Sequence, residues 1–386
     1  MSKRWKIGII KDTSKPMLGL HGLHVAFRGL PNVEIVALVD SNPADIGRKM
    51  ASAEANQHYT DYLEMLEKEK PDIVVLCSRH PGDHYVQIKA AAERGCHIYC
   101  EKPMTADLRE ADEIVRLVEE KHVKICVAHP ARYSLEYLTM KRMIENGAIG
   151  SPLTAYGRGK CDHRGGGEDL IVLGTHILDL QTFLFGAPQR VWADVKTNGR
   201  PISSQDREDT VEPVGPAAGD DIYACFNFPN GVRGILESRR GLPGPSSGIV
   251  QMGLTVAGSK GTLSMRFNDA ATPVCKLRLS RKPFPPEDET QFEEVPVTET
   301  RSIPGAEPLD YSLCGGPDIP HAHFFLDANR YAVRDLMDAI QENRHPVSNV
   351  LNARTALEMI YGIYASSITK QEIELPLVNR GHPLVR

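Results

Sequence analysis

The sequence has no run of about twenty apolar residues, the length that a helix needs to cross a bilayer. The apolar run in its first residues, MSKRWKIGII, is about one strand long and is too short for the core of a secretory signal peptide. None of the eight cysteines stands in a CxxC pair, and several lie in apolar runs such as IVVLCS. We therefore expect reduced, mostly buried thiols in a cytoplasmic protein.

A strong excess of charge of one sign is also absent. The chain has 45 basic and 50 acidic residues, a formal net charge of −5, and 41% hydrophobic residues. This balance gives no electrostatic reason to expect a nucleic acid or an anionic membrane as a partner. A chain of 386 residues exceeds what one hydrophobic core usually holds, and it shows no internal repeat, so we expect two domains.

Strand and helix signals alternate through the first 133 residues. Amphipathic stretches predict helices between the strands, one of them over 22–30. This alternation is typical of a parallel sheet, and we predict a Rossmann domain over 1–133. The predicted strands are 6–11, 34–40, 72–78, 97–103 and 123–129.

After residue 134 the pattern changes to strands joined by short turns, which predicts a largely antiparallel open sheet. Stretches rich in proline, glycine and glutamate at 199–219 and 282–318 predict long loops. The end returns to helical patterns. We therefore predict an α+β domain over 134–386 for substrate binding and oligomerisation, with C-terminal helices able to pack back on the first domain.

The turn after the first predicted strand is where a Rossmann fold carries its glycines. It runs here from Gly8 to Gly22 and lacks the GxGxxG pattern, because Lys11 stands where a glycine is expected. Gly19 and Gly22 could still let backbone N–H groups approach a pyrophosphate. A plain surface loop is the alternative interpretation.

Asp40 closes the second predicted strand, 18 residues after Gly22. A carboxylate at this position can accept hydrogen bonds from the ribose of an adenine nucleotide, and it repels a 2′-phosphate. The sequence therefore favours NAD over NADP as cofactor. The alternative is that Asp40 only caps the end of the strand.

The tripeptide Glu101-Lys102-Pro103 ends another predicted strand. A lysine at the carboxyl end of a parallel strand can lie beside a nicotinamide ring and a substrate hydroxyl, where it could transfer a proton. Pro103 would fix the turn that carries the lysine. An exposed ion pair is the alternative.

These motifs, in this order, resemble the glucose–fructose oxidoreductase/inositol dehydrogenase family, Gfo/Idh/MocA, over essentially the whole chain. The resemblance implies an NAD-dependent oxidoreductase that moves hydride to or from a hydroxyl carbon of a sugar, glycoside or cyclitol, and that forms dimers or tetramers. The motifs that carry it are Asp40 after EIVALV, Ser78 and Pro81 before His84, EKP, ENGAIGSPL, GGGEDLIVLGTHILDL (165–180) and NARTALEMIYGIYASS.

The resemblance implies two catalytic residues. The lysine of EKP takes part in catalysis in this family, and it corresponds to Lys102. A histidine in a G-x-H-x-x-D segment acts as general acid or base, and it corresponds to His176. We expect Thr175 to cap the helix that His176 begins and Asp179 to share its face.

Two positions depart from the pattern of the family. Val172 stands where many of its dehydrogenases have an aspartate, which Asp162, Glu168 or Asp169 could replace. His129 stands after the sixth strand in place of the usual asparagine. The charged segment 158–164 suits a polyol or a sugar acid, or it is a solvated loop.

The predicted contacts of the two ligands complete the site. No compact spacing of metal ligands is present, so no metal is expected. The cofactor contacts are Gly8, Gly19, His21, Gly22, Asp40, Ser41, Ser78, Pro81, His84, Glu101, Lys102 and His129. The substrate contacts are Lys102, Arg158, Asp162, His163, Arg164, Glu168, Asp169, His176 and His321.

Two other functions are compatible with the same residues. Val172 and Lys11 favour a non-catalytic sugar sensor or scaffold that keeps the fold. The altered glycine loop is also compatible with an enzyme of the glycoside 3-oxidase or lyase type that keeps NAD tightly bound and recycles it. Lys102 and His176 favour catalysis over the scaffold.

Overall fold

The structure is a computed structural model that describes residues 3–15, 21–161, 163–208, 210–242, 252–266, 276–282, 292–313 and 322–385. The chain divides into two units. Unit 1 comprises Met1–Tyr133 and Thr300–Ala353, and unit 2 comprises Ser134–Glu299 and Arg354–Arg386. Residues 300–353 thus belong to unit 1, whereas the sequence pattern predicts a second domain over 134–386 whose C-terminal helices are able to pack back on the first.

The sheet of unit 1 is parallel, as predicted. Its described strands are β1 (Trp5–Ile10), β2 (Val33–Val39), β3 (Gln57–Tyr59), β4 (Ile73–Leu76), β5 (His97–Cys100) and β6 (Ile125–Val127). They lie in the order β3-β2-β1-β4-β5-β6, which is the Rossmann order. The direction of the winding reverses between β1 and β4, and sheets of this kind bind ligands beyond the carboxyl ends of their strands at that point.

Helices cover this sheet, and its central strands are therefore mostly apolar. All four residues of β4, for example, are buried. Aspartates begin two of the helices, because Asp61 accepts a hydrogen bond from Leu63 N at 2.9 Å and Asp107 accepts one from Arg109 N at 2.7 Å. The helices of unit 1 are α1 (Ile46–Ala53), α2 (Tyr62–Glu69), α3 (Pro81–Glu93), α4 (Leu108–Lys121) and α8 (Ala322–Gln341).

The predicted helix over 22–30 is wrong. A single 3₁₀ turn spans Leu23–Val25, between Gly22 at φ 75° and Gly29 at φ 66°. Left-handed backbone at both positions is incompatible with a continuous α-helix. Gly29 is also a packing position, since its carbonyl accepts a hydrogen bond from Glu307 N at 2.8 Å and an added Cβ would lie 2.9 Å from the Glu307 side chain.

The sheet of unit 2 is largely antiparallel, as predicted, and only β7 and β11 pair in parallel among its described strands. The main path runs β15-β14-β13-β12-β7-β11-β10-β8-β16, and β9 pairs with β8. The strands are β7 (Pro152–Arg158), β8 (Arg190–Thr197), β9 (Arg200–Pro201), β10 (Asp221–Asn227), β11 (Arg233–Arg239), β12 (Gly253–Gly258), β13 (Thr262–Arg266), β14 (Lys276–Ser280), β15 (Glu293–Glu294) and β16 (Ile373–Glu374).

One face of this sheet is packed and the other is open. Alternation along β8 buries Val191, Ala193 and Val195 and turns Trp192 and Asp194 outward. Helices lie close to the packed face, because an added Cβ on Gly157 or Gly362 would lie less than 3 Å from Ile177 or Val191, respectively. The helices that contribute to unit 2 are α5 (Leu135–Glu145), α6 (Gly167–Asp169), α7 (Thr175–Phe185) and α9 (Val350–Thr369), of which α9 begins just before the unit does.

The described cysteines are unlinked thiols. Cys77, Cys96, Cys100, Cys126 and Cys161 are buried, and Cys225 is half-buried. In the part of the chain that the structure describes, no helix combines the length and the apolar character that a membrane crossing requires. The cytoplasmic location stays a prediction.

Candidate active site

Predicted site residues gather at the carboxyl edge of the sheet in unit 1. Asp40 directly follows β2, Ser78 follows β4, Glu101 and Lys102 follow β5, and His129 follows β6. The topology brings them to one edge because the strands are parallel.

Gly8 lies in the middle of β1, away from that edge. An added Cβ would lie 2.7 Å from Met65 Sδ, so the packing of α2 explains the glycine. Of the other two loop glycines, Gly22 is described and Gly19 lies outside the described residues.

Glu101 is a buried carboxylate held by His21. Its Oε1 accepts a hydrogen bond from His21 Nδ1, and its Oε2 accepts one from Lys102 N at 2.6 Å. Burial by itself raises the pKa of Glu101, but the facing His21, together with the cations of Lys102 and Arg79, lowers it to about 2. Burial lowers the pKa of His21 despite the neighbouring carboxylate.

His21 is fixed by residues of α8 that the sequence analysis missed. Its ring stacks on Phe325 with 5.1 Å between centroids and 14° between planes. Its carbonyl accepts a hydrogen bond from Asn329 Nδ2 at 2.6 Å, and Asn329 Oδ1 accepts one from Tyr99 at 2.7 Å. The spacing of four residues between Phe325 and Asn329 places both on one helix face, which was the signal available in the sequence.

Lys102 is buried, with 2% of its surface exposed, so the alternative of an exposed ion pair is excluded. The peptide bond between Lys102 and Pro103 is cis. A lysine enclosed in this way has fixed surroundings.

His84 holds the turn that carries Lys102. Its Nδ1 lies 2.9 Å from the carbonyl oxygen of Pro103, and its Nε2 lies 2.8 Å from that of Ser78. The ring is wholly buried and so connects the end of β4 to the turn after β5. The structure gives His84 a positioning role, and direct contact with a cofactor stays a prediction.

Ser78 and Pro81 begin α3. Pro81 occupies its first turn, and the Ser78 hydroxyl donates a hydrogen bond to Asp83 Oδ2 at 2.9 Å. Lys15 forms an ion pair with the other oxygen of Asp83 at 2.5 Å. The loop after β1 is thereby attached to the start of α3.

His129 follows β6, and its Nδ1 lies 3.4 Å from Ser348 Oγ.

Asp40 acts as a cap at the end of β2. Its carboxylate accepts hydrogen bonds from the backbone N–H groups of Thr13 and Asn42, the hydroxyl of Thr13 and the ammonium of Lys49. Burial alone raises its pKa, but these bonds, with Lys49 first, outweigh burial and lower the pKa. The neighbouring Ser41 is exposed and donates a hydrogen bond to Asp12 at 2.8 Å.

His176 lies in a helical segment that runs from Gly167 to Phe185. The middle of this segment, Leu170–Gly174, is a π-helix, and His176 follows it in α7. His176 is 5% exposed and Asp179 is wholly buried. The expectation that Thr175 caps the helix is wrong, because the helix already runs through Gly174 and makes no side-chain cap there.

Three glycines before this helix allow backbone segments to approach closely. An added Cβ on Gly165, Gly166 or Gly167 would lie 2.1, 2.3 or 2.6 Å from the carbonyl oxygens of Arg239, Gly219 and Ala218, respectively. Real Cβ atoms do not approach oxygen this closely, so only glycine fits. The GGG motif therefore anchors the start of the His176 helix.

We expect Gly166→Ala to lower the Tm by about 5–10 °C. Gly166 has φ 89° and ψ −138°, backbone angles that essentially only glycine adopts and that cost an alanine ~1–3 kcal/mol, and the clash with Gly219 adds ~1–3 kcal/mol. Gly199→Ala is the control, since Gly199 has φ 75° and no atom within 4 Å of the added Cβ. Equal losses in calorimetry would show that the close approach contributes nothing.

Glu168 and Asp169, which could replace the carboxylate absent at Val172, already bind protein groups. Glu168 accepts hydrogen bonds from Val211 N at 3.0 Å and Glu212 N at 3.2 Å. Asp169 Oδ2 accepts one from Lys160 N at 2.8 Å and one from Ser238 Oγ at 2.6 Å. Both carboxylates thus hold loops in place, and their contact with substrate stays a prediction.

The charged segment before the helix is partly exposed. Arg158 and His163 are exposed, Arg164 is half-buried and Lys160 is buried. Arg158 stands opposite Glu237 in the pairing of β7 with β11. It alternates with Gly157, which faces Ile177 of α7, so Arg158 lies on the open face of the sheet and not on the face of the histidine helix. Asp162 and His321 lie outside the described residues.

Family models match both parts of the chain. Residues 19–129 match the model of an oxidoreductase family with an NAD-binding Rossmann fold, GFO_IDH_MocA, and residues 137–264 match the GFO/IDH/MocA C-terminal domain. Together the two matches cover more than half of the chain. The chain belongs to the Gfo/Idh/MocA oxidoreductase family.

Curated members of the Gfo/Idh/MocA family include dehydrogenases of cyclitols and sugars. A D-apiose dehydrogenase of Paraburkholderia graminis is 31% identical over 194 residues, 47% of this chain and 51% of the relative. A scyllo-inositol 2-dehydrogenase (NADP(+)) of Bacillus subtilis is 28% identical over 177 residues, 43% of this chain and 48% of the relative. The chain thus aligns with about half the length of these curated relatives.

Solved structures share the fold of both units. A levoglucosan dehydrogenase in complex with NADH and L-sorbose superposes with a TM-score of 0.73 at 19% identity, over 98% of this chain and 100% of the other. An oxidoreductase of Agrobacterium radiobacter in complex with NAD+, L-tartaric acid and magnesium gives 0.72 at 15% identity, over 96% and 98%. At these identities the likeness shows the Gfo/Idh/MocA fold alone.

The chain has a valine in the turn that leads into its histidine helix. Val172 is buried in the π-helical turn, 2% exposed. Its isopropyl group offers no site for a proton. Across the described segments, no group of three or more His, Cys, Asp or Glu residues is arranged to hold a metal ion.

Proposed function

We propose that the chain is a nicotinamide-dependent oxidoreductase that moves hydride to or from a hydroxyl carbon of a sugar, glycoside or cyclitol. The observation that carries the proposal is Lys102, a buried lysine at the ligand-binding edge of a Rossmann sheet, in a turn whose backbone is held by Glu101 and His84. Membership of an oxidoreductase family and the names of the relatives support the same chemistry.

The residues at this edge fit a dinucleotide. Gly22, at φ 75°, leaves room for close approach of a phosphate to the backbone, and Ser41 offers an exposed hydroxyl. We assign His21, Ser78 and His129 to the same site. A bound nicotinamide ring would supply the hydride acceptor or donor. The preference for NAD over NADP that the sequence predicts from Asp40 requires that its carboxylate is open to a ribose hydroxyl.

We assign the handling of the substrate hydroxyl to two residues: His176 takes its proton, and Lys102 binds its oxygen. When a hydroxyl carbon is oxidised, hydride leaves the carbon and the hydroxyl proton must pass to a base. A neutral imidazole at position 176 accepts such a proton near neutral pH, and an ammonium at position 102 donates a hydrogen bond to the oxygen. In the reverse direction the same groups return the proton.

The substrate class follows from the polar side chains around the histidine helix. We assign His163 and Arg164 to contacts with hydroxyl or carboxylate groups of a polyol or sugar acid, as a guanidinium group with five donors suits both. A panel of cyclitols, aldoses, glycosides and sugar acids, each assayed with NAD+ and NADP+ by the absorbance of the reduced nicotinamide, tests this assignment. Absence of turnover and of nucleotide binding would favour a sensor or scaffold instead.

We further propose that a second copy of the chain covers the open face of the sheet in unit 2. Trp192 and Tyr156, 45% and 40% exposed, lie in one row across β8, β10, β11 and β7, with Cys225 and Ile235 between them. An exposed apolar row of this kind is typical of an interface.

Trp192→Glu is therefore expected to shift the protein from an oligomer toward a monomer in light scattering at micromolar concentration. A charge placed in the centre of an interface costs several kcal/mol when no partner compensates it. Val378→Glu is the control, because Val378 is fully exposed and lies outside the row. A monomeric parent protein, or a variant with the parent's mass, would contradict the assignment of this face.

A further inference from the structure

A lysine lies on the carboxylate that the sequence assigns to the adenine ribose. Lys49, in α1, places its Nζ 2.8 Å from Asp40 Oδ2. The same ammonium donates hydrogen bonds to Thr13 Oγ1 at 2.7 Å and to the carbonyl oxygen of Asn42 at 2.9 Å. The three hydrogens of the ammonium group are thereby all used, and its position is fixed.

The carboxylate of Asp40 already accepts as many hydrogen bonds as its two oxygens can hold. Oδ1 accepts hydrogen bonds from Thr13 N at 3.0 Å and Asn42 N at 2.9 Å, and Oδ2 accepts from Thr13 Oγ1 at 2.8 Å and from Lys49. A carboxylate has about four lone-pair positions, and all four are occupied. Because Asp40 is only 1% exposed, a ribose hydroxyl reaches it only if one of these groups moves.

The positive charge of Lys49 also cancels the negative charge of Asp40, on which the discrimination between NAD and NADP depends. An acid at the end of the second strand disfavours NADP because it repels the 2′-phosphate. The ion pair leaves Asp40 with no net charge to repel it. A second carboxylate, Asp12, lies nearby and binds Ser14 N and Ser41 Oγ. It does not contact Lys49 in the structure, so substitution of Lys49 isolates the effect of Asp40.

We propose that Lys49 determines nucleotide specificity in this chain by masking Asp40, so that NADP is bound as well as NAD. The proposal rests on the proposed function, since it requires that this edge holds a nicotinamide dinucleotide. It assigns the choice between the two nucleotides to a residue of α1, outside the motifs that carry the family resemblance.

The test is the ratio of the dissociation constants for NADP+ and NAD+, measured by calorimetry on the full chain without any sugar. We expect the ratio of the parent protein to lie within about tenfold of unity. Lys49→Met removes the ammonium and keeps most of the stem, and it should raise the ratio at least about tenfold, because an uncovered carboxylate repels the 2′-phosphate and accepts the ribose hydroxyls.

Two further variants make the result decisive. Arg48→Met removes the neighbouring cation, which is exposed and pairs with Asp45, and should leave the ratio unchanged. Lys49→Arg keeps the charge and should keep the parent's ratio, which separates masking from loss of the fold. A Lys49→Met ratio equal to that of Arg48→Met overturns the proposal. If the parent protein binds neither nucleotide, the proposed function itself fails, and the inference fails with it.

Discussion

Lys102→Met is expected to lower the turnover of the best sugar substrate by about 10²–10⁴-fold while nucleotide binding remains. Methionine fills the same buried volume as the lysine stem but offers no donor to the substrate oxygen. Glu101 and His84 keep their bonds to the backbone of this turn, so the structure around position 102 should persist. Steady-state kinetics that separate kcat from KM, with calorimetry for the nucleotide, provide the measurement.

The control for this substitution is Lys121→Met. Lys121 is an exposed lysine at the end of α4, where it pairs with Glu120. It should leave kcat unchanged. A Lys102→Met enzyme with near-normal turnover would refute the assignment of Lys102, whereas joint loss of turnover and nucleotide binding would indicate damage to the cofactor site rather than to the chemistry.

His176→Asn should produce a loss of similar size, about 10²–10⁴-fold in kcat. Asparagine is close in size and keeps a hydrogen-bond donor, but it cannot take a proton near neutral pH. Because His176 is buried in α7, thermal unfolding of the variant should accompany the kinetics.

His122→Asn is the control for His176→Asn. His122 ends α4 in a left-handed conformation that asparagine tolerates well. It should leave turnover unchanged. If His176→Asn retains turnover and a normal Tm, then another group handles the proton, and the role carried over from the family resemblance does not apply to this chain.

Strands in unit 1 were predictable because they are covered on both faces. A strand buried in this way reads as an unbroken apolar run, and IVVL of β4 is such a run. The same runs located the strand ends, and with them Asp40, Ser78, Glu101 and Lys102. The sequence therefore predicted which residues meet at the edge of the sheet, although it said little about what each one binds there.

Two of the edge strands were missed for the opposite reason. β3 and β16 are short and half-exposed, so neither has an apolar pattern to detect. The segment 22–30 has helical spacing, but two left-handed glycines override it. Spacing alone cannot report such backbone angles, because glycine adopts either hand.

Contacts between residues that lie far apart in the sequence were not predictable either. His21 stacks on Phe325 across about 300 residues of chain, and no local pattern announces that contact. Lys49 was overlooked although it is near Asp40 in sequence, because a lysine on a short surface helix is usually solvated. The hydrogen bonds that occupy the Asp40 carboxylate follow from the three-dimensional structure and not from the sequence pattern.

The wide turn at Leu170–Gly174 separates the length of this segment from the direction of His176. A π-turn holds one residue more than an ordinary helical turn, so the extra residue is absorbed within a single turn. Deleting one residue there would restore a regular helix and leave the imidazole facing the same way. A chain of this fold could thus gain or lose one residue at this turn while His176 keeps its orientation.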